Sequence, residues 1–138
     1  MTEPFRTTRR VEFVDTDMAG IAHFSNFFRW MESAEAEFLR ARGLTFKLPW
    51  QGQELGFPRV SAACDYFKPV YFEDVLEIAV RVENVGRKSV TYGFEFTRDG
   101  EVLARGRVSC VCCRVLADHR LESVEIPASL RARLEAAE

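Results

Sequence analysis

One stretch with helical spacing stands in a chain otherwise patterned for strands, and that imbalance limits the folds open to it. Phe27, Trp30, Met31, Ala34, Phe38 and Ala41 recur at i, i+3, i+4 and i+7, so they line one face of a helix beginning near Ser25. Ser25 or Asn26 can cap its start, Arg40 and Arg42 suit the negative C-terminal end, and Gly43 can end it in the left-handed conformation. Phe28 and Leu39 widen the apolar stripe beyond what a surface helix needs. The helix is therefore expected to be wrapped by the rest of the chain, not merely docked on it.

Ahead of the helix, residues 9–16 alternate, with Val11 and Phe13 opposed to Glu12 and Val14, which predicts a short strand ending at Asp15-Thr16-Asp17. Met18-Ala19-Gly20 then supplies a turn. Behind the helix, residues 44–58 contain Pro49, Gly52, Gly56 and Pro58 and predict a connecting loop. Residues 59–66, 75–85, 88–97 and 102–116 are rich in Val, Ile, Phe, Tyr and Thr and predict four strands, with Asp99-Gly100 as a hairpin turn. Connections this short force antiparallel pairing. Residues 127–136 predict a short closing helix with Pro127 at its start. The order gives an α+β fold, one long helix against one face of a five-stranded antiparallel sheet. Such a sheet leaves open edges, and a homodimer paired edge to edge is expected to cover them.

The 138 residues bound the chain to one domain, 1–138, and 47% apolar with 29% charged residues predicts a packed core that needs no disulfide or metal staple. A net charge of −2 gives no footprint for nucleic acid. The basic start, Met1 to Arg10, runs into Glu12, Asp15 and Asp17 and so does not predict a secretory leader. No run approaches the roughly 18 apolar residues of a membrane span, and a cytoplasmic protein is expected. Of the four cysteines, alternation sends Cys110 and Cys112 to one face and Cys113 to the other; with Cys64 they read as buried free thiols. His119 nearby does not complete a four-ligand set, so no metal site is expected.

The chemistry-bearing segment is residues 14–24, which carries Asp15 and Asp17 off the end of a strand and delivers the chain to the positive end of the helix. Backbone N–H donors there can polarise a carbonyl or hold an oxyanion, and a carboxylate beside them can attack the carbonyl carbon or activate water. Asp17 is better placed than Asp15, which can finish the strand. An ordinary polar turn with Asp caps fits the same spacing equally well. A calcium loop matches Gly20 at its sixth position but has Ala19 in place of an oxygen ligand and Asn26 at the twelfth. An aspartyl phosphatase needs alternating strands and helices, a pattern missing here.

The run Asp15-Thr-Asp17-Met-Ala-Gly20-Ile-Ala-His23-Phe24-Ser-Asn26-Phe-Phe-Arg-Trp30 resembles the hotdog-fold acyl-CoA thioesterases of the 4-hydroxybenzoyl-CoA thioesterase type. Further matches are Gly56-Phe57-Pro58, the stretch Tyr66 to Val70, Asp74 to Ile78, and Gly86-Arg87-Lys88-Ser89. The resemblance implies a long helix wrapped by an antiparallel sheet, subunits joined sheet to sheet, and often two such dimers forming a tetramer. It implies hydrolysis of an acyl-CoA with no cofactor beyond the coenzyme A that the substrate carries. Asp17 would be nucleophile or general base, and the backbone N–H of Phe24 would bind the thioester oxygen. Several relatives carry Tyr or His at the position of Phe24; that side-chain contribution is lost here, while a main-chain donor survives any substitution except Pro. His23 is a candidate replacement, with a packed position near the dimer seam as the alternative.

The same resemblance assigns substrate contacts to Gly20, Ile21, Asn26, Phe27 and Phe57, with Phe24 and Trp50 as further candidates to line an acyl pocket. It assigns coenzyme A phosphates to Arg87, Lys88 and Ser89, where cations beside a hydroxyl suit phosphate; a solvated turn is the alternative. A related branch uses a helical Glu, but with Asp17 present Glu32 and Glu35 read as structural, partly buried and hydrogen-bonded. A hydratase or dehydratase on the same fold, and a non-catalytic acyl-binding subunit, are the competing functions.

Overall fold

The computed structural model describes residues 3–136, so the outermost two residues at each end of the expected 1–138 domain lie outside the described residues. In chain order the elements are β1 (Phe5–Arg10), α1 (Asn26–Ala41), β2 (Leu48–Trp50), β3 (Gln53–Gly56), β4 (Arg59–Tyr66), β5 (Val75–Val85), β6 (Ser89–Arg98), β7 (Glu101–Val111), β8 (Cys113–Val115), β9 (Leu121–Ser123) and α2 (Ala128–Glu135). Five strands form an antiparallel sheet in the order β1-β5-β6-β7-β4, and α1 crosses one face of it. This is the expected α+β arrangement, and β4 and β5 have the predicted bounds.

Several expectations need correction. The first strand is Phe5–Arg10, and residues 13–15 form a single 3-10 turn. Pairing ends where the partner strand begins, at Arg10 opposite Val75, and the Asp15 carboxylate then tightens the chain by accepting the Glu12 N–H at 2.8 Å. Only Val11 of the predicted alternation is buried, while Phe13 and Val14 are 76% and 87% exposed. The predicted loop at residues 44–58 holds the β2–β3 hairpin, turned at Gln51-Gly52 with φ of 50° and 81°. Both central residues at positive φ match a type I′ turn, and Pro49 is tolerated because β2 is an edge strand. The predicted strand at 102–116 is two strands, broken at Cys112, so β8 leaves the main sheet for a second one ordered β2-β3-β8-β9. That break also undoes the expected alternation of thiols: Cys110, Cys112 and Cys113 are all buried, and Cys64 is half-buried. Burial pushes Cys110 and Cys112 up to about 11, with the Glu35 charge adding at Cys110 and Cys113 adding at Cys112, so neither is a thiolate near neutrality.

The helix is wrapped as expected. Phe27, Trp30, Met31, Ala34 and Phe38 are all at most 3% exposed and pack on the inner sheet face, with Phe27 edge-on to Phe96 at 5.1 Å and Phe38 edge-on to Tyr92 at 5.8 Å. Gly43, at φ 72°, closes α1: its N–H donates to Arg40 O at 3.0 Å and the next N–H, of Leu44, to Leu39 O at 2.8 Å. Leu39 and Leu44 are both buried, which completes the Schellman arrangement. The helix start differs from expectation: Ser25 stands at the cap position but makes no side-chain cap bond.

The strand ends sort into two ends of the sheet. Arg10, Val75, Arg98 and Tyr66 lie at one, and Val85, Ser89, Val111 and Arg59 at the other. β4 is an edge: β7 pairs with one side, and its other side has no strand partner among the described residues. Residues 60–63 of β4 are exposed.

Candidate active site

The loop from Asp15 to Phe24 is held almost wholly by backbone bonds. Asp17 N–H donates to Ile21 O, and Gly20 N–H returns to Asp17 O, both at 2.9 Å. With Gly20 at φ 80° this is a three-residue hairpin loop whose last position needs the left-handed conformation, the reason a glycine is required there. Two bonds then pin the approach to the helix: Ala22 N–H to Val70 O at 2.7 Å and His23 N–H to Asp15 O at 2.8 Å. The Asn26 side-chain amide also donates to Asp15 O, at 2.7 Å. Asp15 and Asn26 are thus fastenings, and the polar-cap reading of the Asp pair holds for Asp15.

Asp17 is different. It is exposed, and its Oδ1 accepts the Ala19 N–H at 2.9 Å, while Oδ2 has no protein partner among the described residues. A cleft of about 420 Å³ opens beside it, lined by Asp17, Ile21, Ala22, Phe24, Phe27, Tyr66, Phe67, Lys68, Pro69 and Val70. Lys68 at its rim pairs with Glu101 at 3.8 Å. Behind it, the 69–74 loop is braced by Arg98, which meets Asp74 at 2.6 Å. A second recess of similar size lies on the outer sheet face, but Arg105–Glu95 and Arg107–Glu83 pairs occupy it.

The backbone donors at the helix start reduce to one. The N–H groups of Asn26, Phe27 and Phe28 turn back to His23 O, Phe24 O and Ser25 O, while Ser25 N–H reaches His23 Nδ1 at 3.3 Å. From Ala22 to Phe28, the Phe24 N–H alone lacks an acceptor among the described residues. An unpaired N–H at a helix start, on a residue that lines the same cleft as a carboxylate with a free oxygen, supplies the two groups needed to polarise a carbonyl while its carbon is attacked. The exposed His23 is occupied on one side: Nδ1 lies 2.8 Å from Ser25 Oγ, and the ring stacks on Phe24 at 4.6 Å.

Within one chain the structure brings Asp17, Ile21, Phe24 and Phe27 to this cleft, and Gly20, His23 and Asn26 to the loop that frames it. It does not bring the rest. Arg87, Lys88 and Ser89 follow the far end of β5, an eleven-residue strand and so about 33 Å from the Asp17 end of the sheet. Their turn is packed on α2, with Arg131 donating to Val85 O and Gly86 O and Arg87 facing Glu125 at 3.4 Å. Trp50 lies against α2 as well, donating to Ser129 at 3.2 Å. Phe57 lines a small cavity of about 10 Å³ with Leu39, Leu48, Tyr92, Leu130 and Glu35. Reading the sequence missed Tyr66 and Lys68 as cleft residues; the only signal was the match over Tyr66 to Val70.

Glu35 sits deep in the core, 1% exposed, with Oε2 accepting from Arg59 at 2.9 Å and Oε1 without a partner among the described residues. Desolvation raises its pKa, against the pull of Arg59. Glu32, by contrast, is exposed and only 3.7 Å from the same guanidinium. The expected burial and hydrogen bonding hold for Glu35 and not for Glu32, which makes an exposed ion pair only.

The family pattern of the thioesterase-like superfamily matches residues 11–134. The chain belongs to that superfamily. A 4-hydroxybenzoyl-CoA thioesterase of Pseudomonas sp. (strain CBS-3) is 28% identical over 137 residues, covering 93% of this chain and 95% of that protein. A 1,4-dihydroxy-2-naphthoyl-CoA hydrolase of Prochlorococcus marinus (strain NATL2A) is 29% identical over 110 residues, covering 75% and 71%. The solved structure of a gentisyl-coenzyme A thioesterase superposes with a TM-score of 0.80 at 29% identity, covering 94% of this chain and 99% of that one. Superfamily relatives with these names place the chain among thioester hydrolases and its architecture among hotdog folds. No helix in the described residues is long and apolar enough to cross a membrane.

Proposed function

We propose that the chain hydrolyses acyl-CoA thioesters to a free acid and coenzyme A. The observation that carries this reading is that Phe24, whose N–H is unpaired, and Asp17, which keeps one oxygen free, line one cleft. The thioester oxygen accepts from Phe24, and the developing negative charge is held there at the positive end of α1. Asp17 attacks the carbonyl carbon, giving a mixed anhydride that water opens, or it takes a proton from the water that attacks. Either route expels the thiol of coenzyme A. In a single turnover in isotopically labelled water, label entering the Asp17 carboxylate marks the anhydride route. The helix start itself supplies the electrophilic group, and coenzyme A enters only as part of the substrate.

The open edge of β4 supports a homodimer. Antiparallel pairing of β4 with its copy reverses the sheet, so each Tyr66 end, and the Asp17 cleft beside it, meets the partner's Arg59 end. The partner's Phe57 and its Arg87-Lys88-Ser89 turn lie at that end. A substrate seated at Asp17 would then extend its acyl group toward the partner's Phe57 and its phosphates toward the partner's cations. Pairing of two dimers through a further face gives the tetramer that the family resemblance implies. The four free thiols fit a reducing cytoplasm.

A panel of aromatic and aliphatic acyl-CoA thioesters tests this reading. Release of free thiol is expected. Hydration of an enoyl-CoA without thiol release would make the chain a hydratase, and tight binding without turnover would make it an acyl-binding subunit.

A further inference from the structure

Resting on the hydrolase reading, we infer that Tyr66 is a positioning residue, whose hydroxyl fixes the Phe24 main chain so that the neighbouring Phe24 N–H meets the thioester oxygen. Tyr66 Oη donates to Phe24 O at 3.0 Å. The other bond to that carbonyl, from Phe27 N–H, is long at 3.3 Å. The Phe24 side chain is 61% exposed and offers little anchorage of its own. One flank of Phe24 is tied by His23 N–H to Asp15 O, and Tyr66 ties the other.

The phenol is itself firmly held. Its ring stands edge-on to buried Phe27 at 5.0 Å and 84°, and its backbone pairs with Ala104. The next two N–H groups, of Phe67 and Lys68, both donate to Leu103 O. Burial pushes the Tyr66 hydroxyl up to about 12, with Cys64 adding to the effect, so it keeps the proton it donates. Tyr66 also ends the open edge strand β4, so a partner pairing with β4 would act on the Phe24 amide through this one bond.

Steady-state kinetics of Tyr66→Phe test the inference, because Phe keeps the ring and loses only the donor. A fall in kcat of about tenfold is expected, the scale of one lost hydrogen bond, with KM within about twofold. Subunit mass and unfolding midpoint should match wild type, which a merely structural role would not allow at a reduced kcat. An unchanged kcat overturns the inference. So does a raised KM at constant kcat, which would mean that Tyr66 grips substrate. Asp17→Asn measured beside it separates the layers. If Asp17→Asn is inactive and Tyr66→Phe normal, only the positioning role falls; if wild type itself releases no thiol from any acyl-CoA, the hydrolase reading falls with it.

Discussion

Two carboxylates, one just before α1 and one within it, have opposite surroundings. Asp17, in the loop before α1, is exposed, holds one oxygen free and sits in a frame of backbone bonds. Glu35, the tenth residue of α1, is sealed in the core and bound to Arg59. The difference separates two uses of one helix. On the proposed mechanism, the main chain at its start is the functional element and side chains serve to fix it. Further along, a buried charge is tolerated because a guanidinium pays for part of its desolvation, and the pair ties α1 to the first residue of the edge strand β4.

Breaking the helix start should have the largest effect. Phe24→Pro removes the proposed donor and is expected to lower kcat by about a hundredfold to a thousandfold, the usual cost of losing one oxyanion donor. Phe24→Ala keeps the N–H and should stay within about tenfold of wild type. Equal losses in both, with folding intact, would mean that the ring and not the main chain acts on substrate.

Breaking the core pair should cost stability and leave chemistry alone. Arg59→Met strands the Glu35 carboxylate, and a loss of about 3 kcal/mol in denaturant unfolding is expected, with kcat of the folded enzyme nearly unchanged. The double variant Arg59→Met with Glu35→Leu should recover much of that loss, since it removes the stranded acid.

A subunit-mixing experiment sharpens the comparison by asking what completes the Asp17 end. Asp17→Asn refolded with an equal amount of Arg87→Glu/Lys88→Glu should regain about a quarter of wild-type activity. Half of the dimers would be mixed, and each mixed dimer would carry one intact site. No recovery above the two parents would mean that those cations do not complete the partner's site.

The smallest expected effect is a slope. Burial raises the folded pKa of Glu35 above the ordinary 4.5, so the folded protein holds that proton more tightly than the unfolded chain. The stabilisation is complete below about 4.5 and is lost as pH rises through the folded value. Wild type should therefore lose stability relative to Glu35→Gln as pH is raised from about 4.5, measured as the difference between their unfolding midpoints. A constant difference would mean that Glu35 stays ionised in the fold.

The helix and the sheet were legible because their patterns are local and repeated. The face from Phe27 to Phe38 and the strands at 59–66 and 75–85 follow directly from spacing. The first strand was misplaced because the Val11/Phe13 alternation runs on past the point where β5 supplies a partner. The bend at Cys112 and the small second sheet were hidden because an apolar run does not show where a chain changes sheets. Asp17 could be singled out by its place before the helix, whereas Tyr66 could not, because its bond to Phe24 joins residues 42 positions apart. Glu35 reads as partly buried, but its full burial and its partner were not legible, since Arg59 lies 24 residues away, on another element.

Thiol release by Asp17→Asn and Glu35→Gln, measured side by side on one acyl-CoA and at equal subunit mass, tests the assignment most directly. The account predicts a loss of at least about a hundredfold for Asp17→Asn, within the range for a lost general base, and a rate close to wild type for Glu35→Gln. An active Asp17→Asn beside an inactive, folded Glu35→Gln would contradict it.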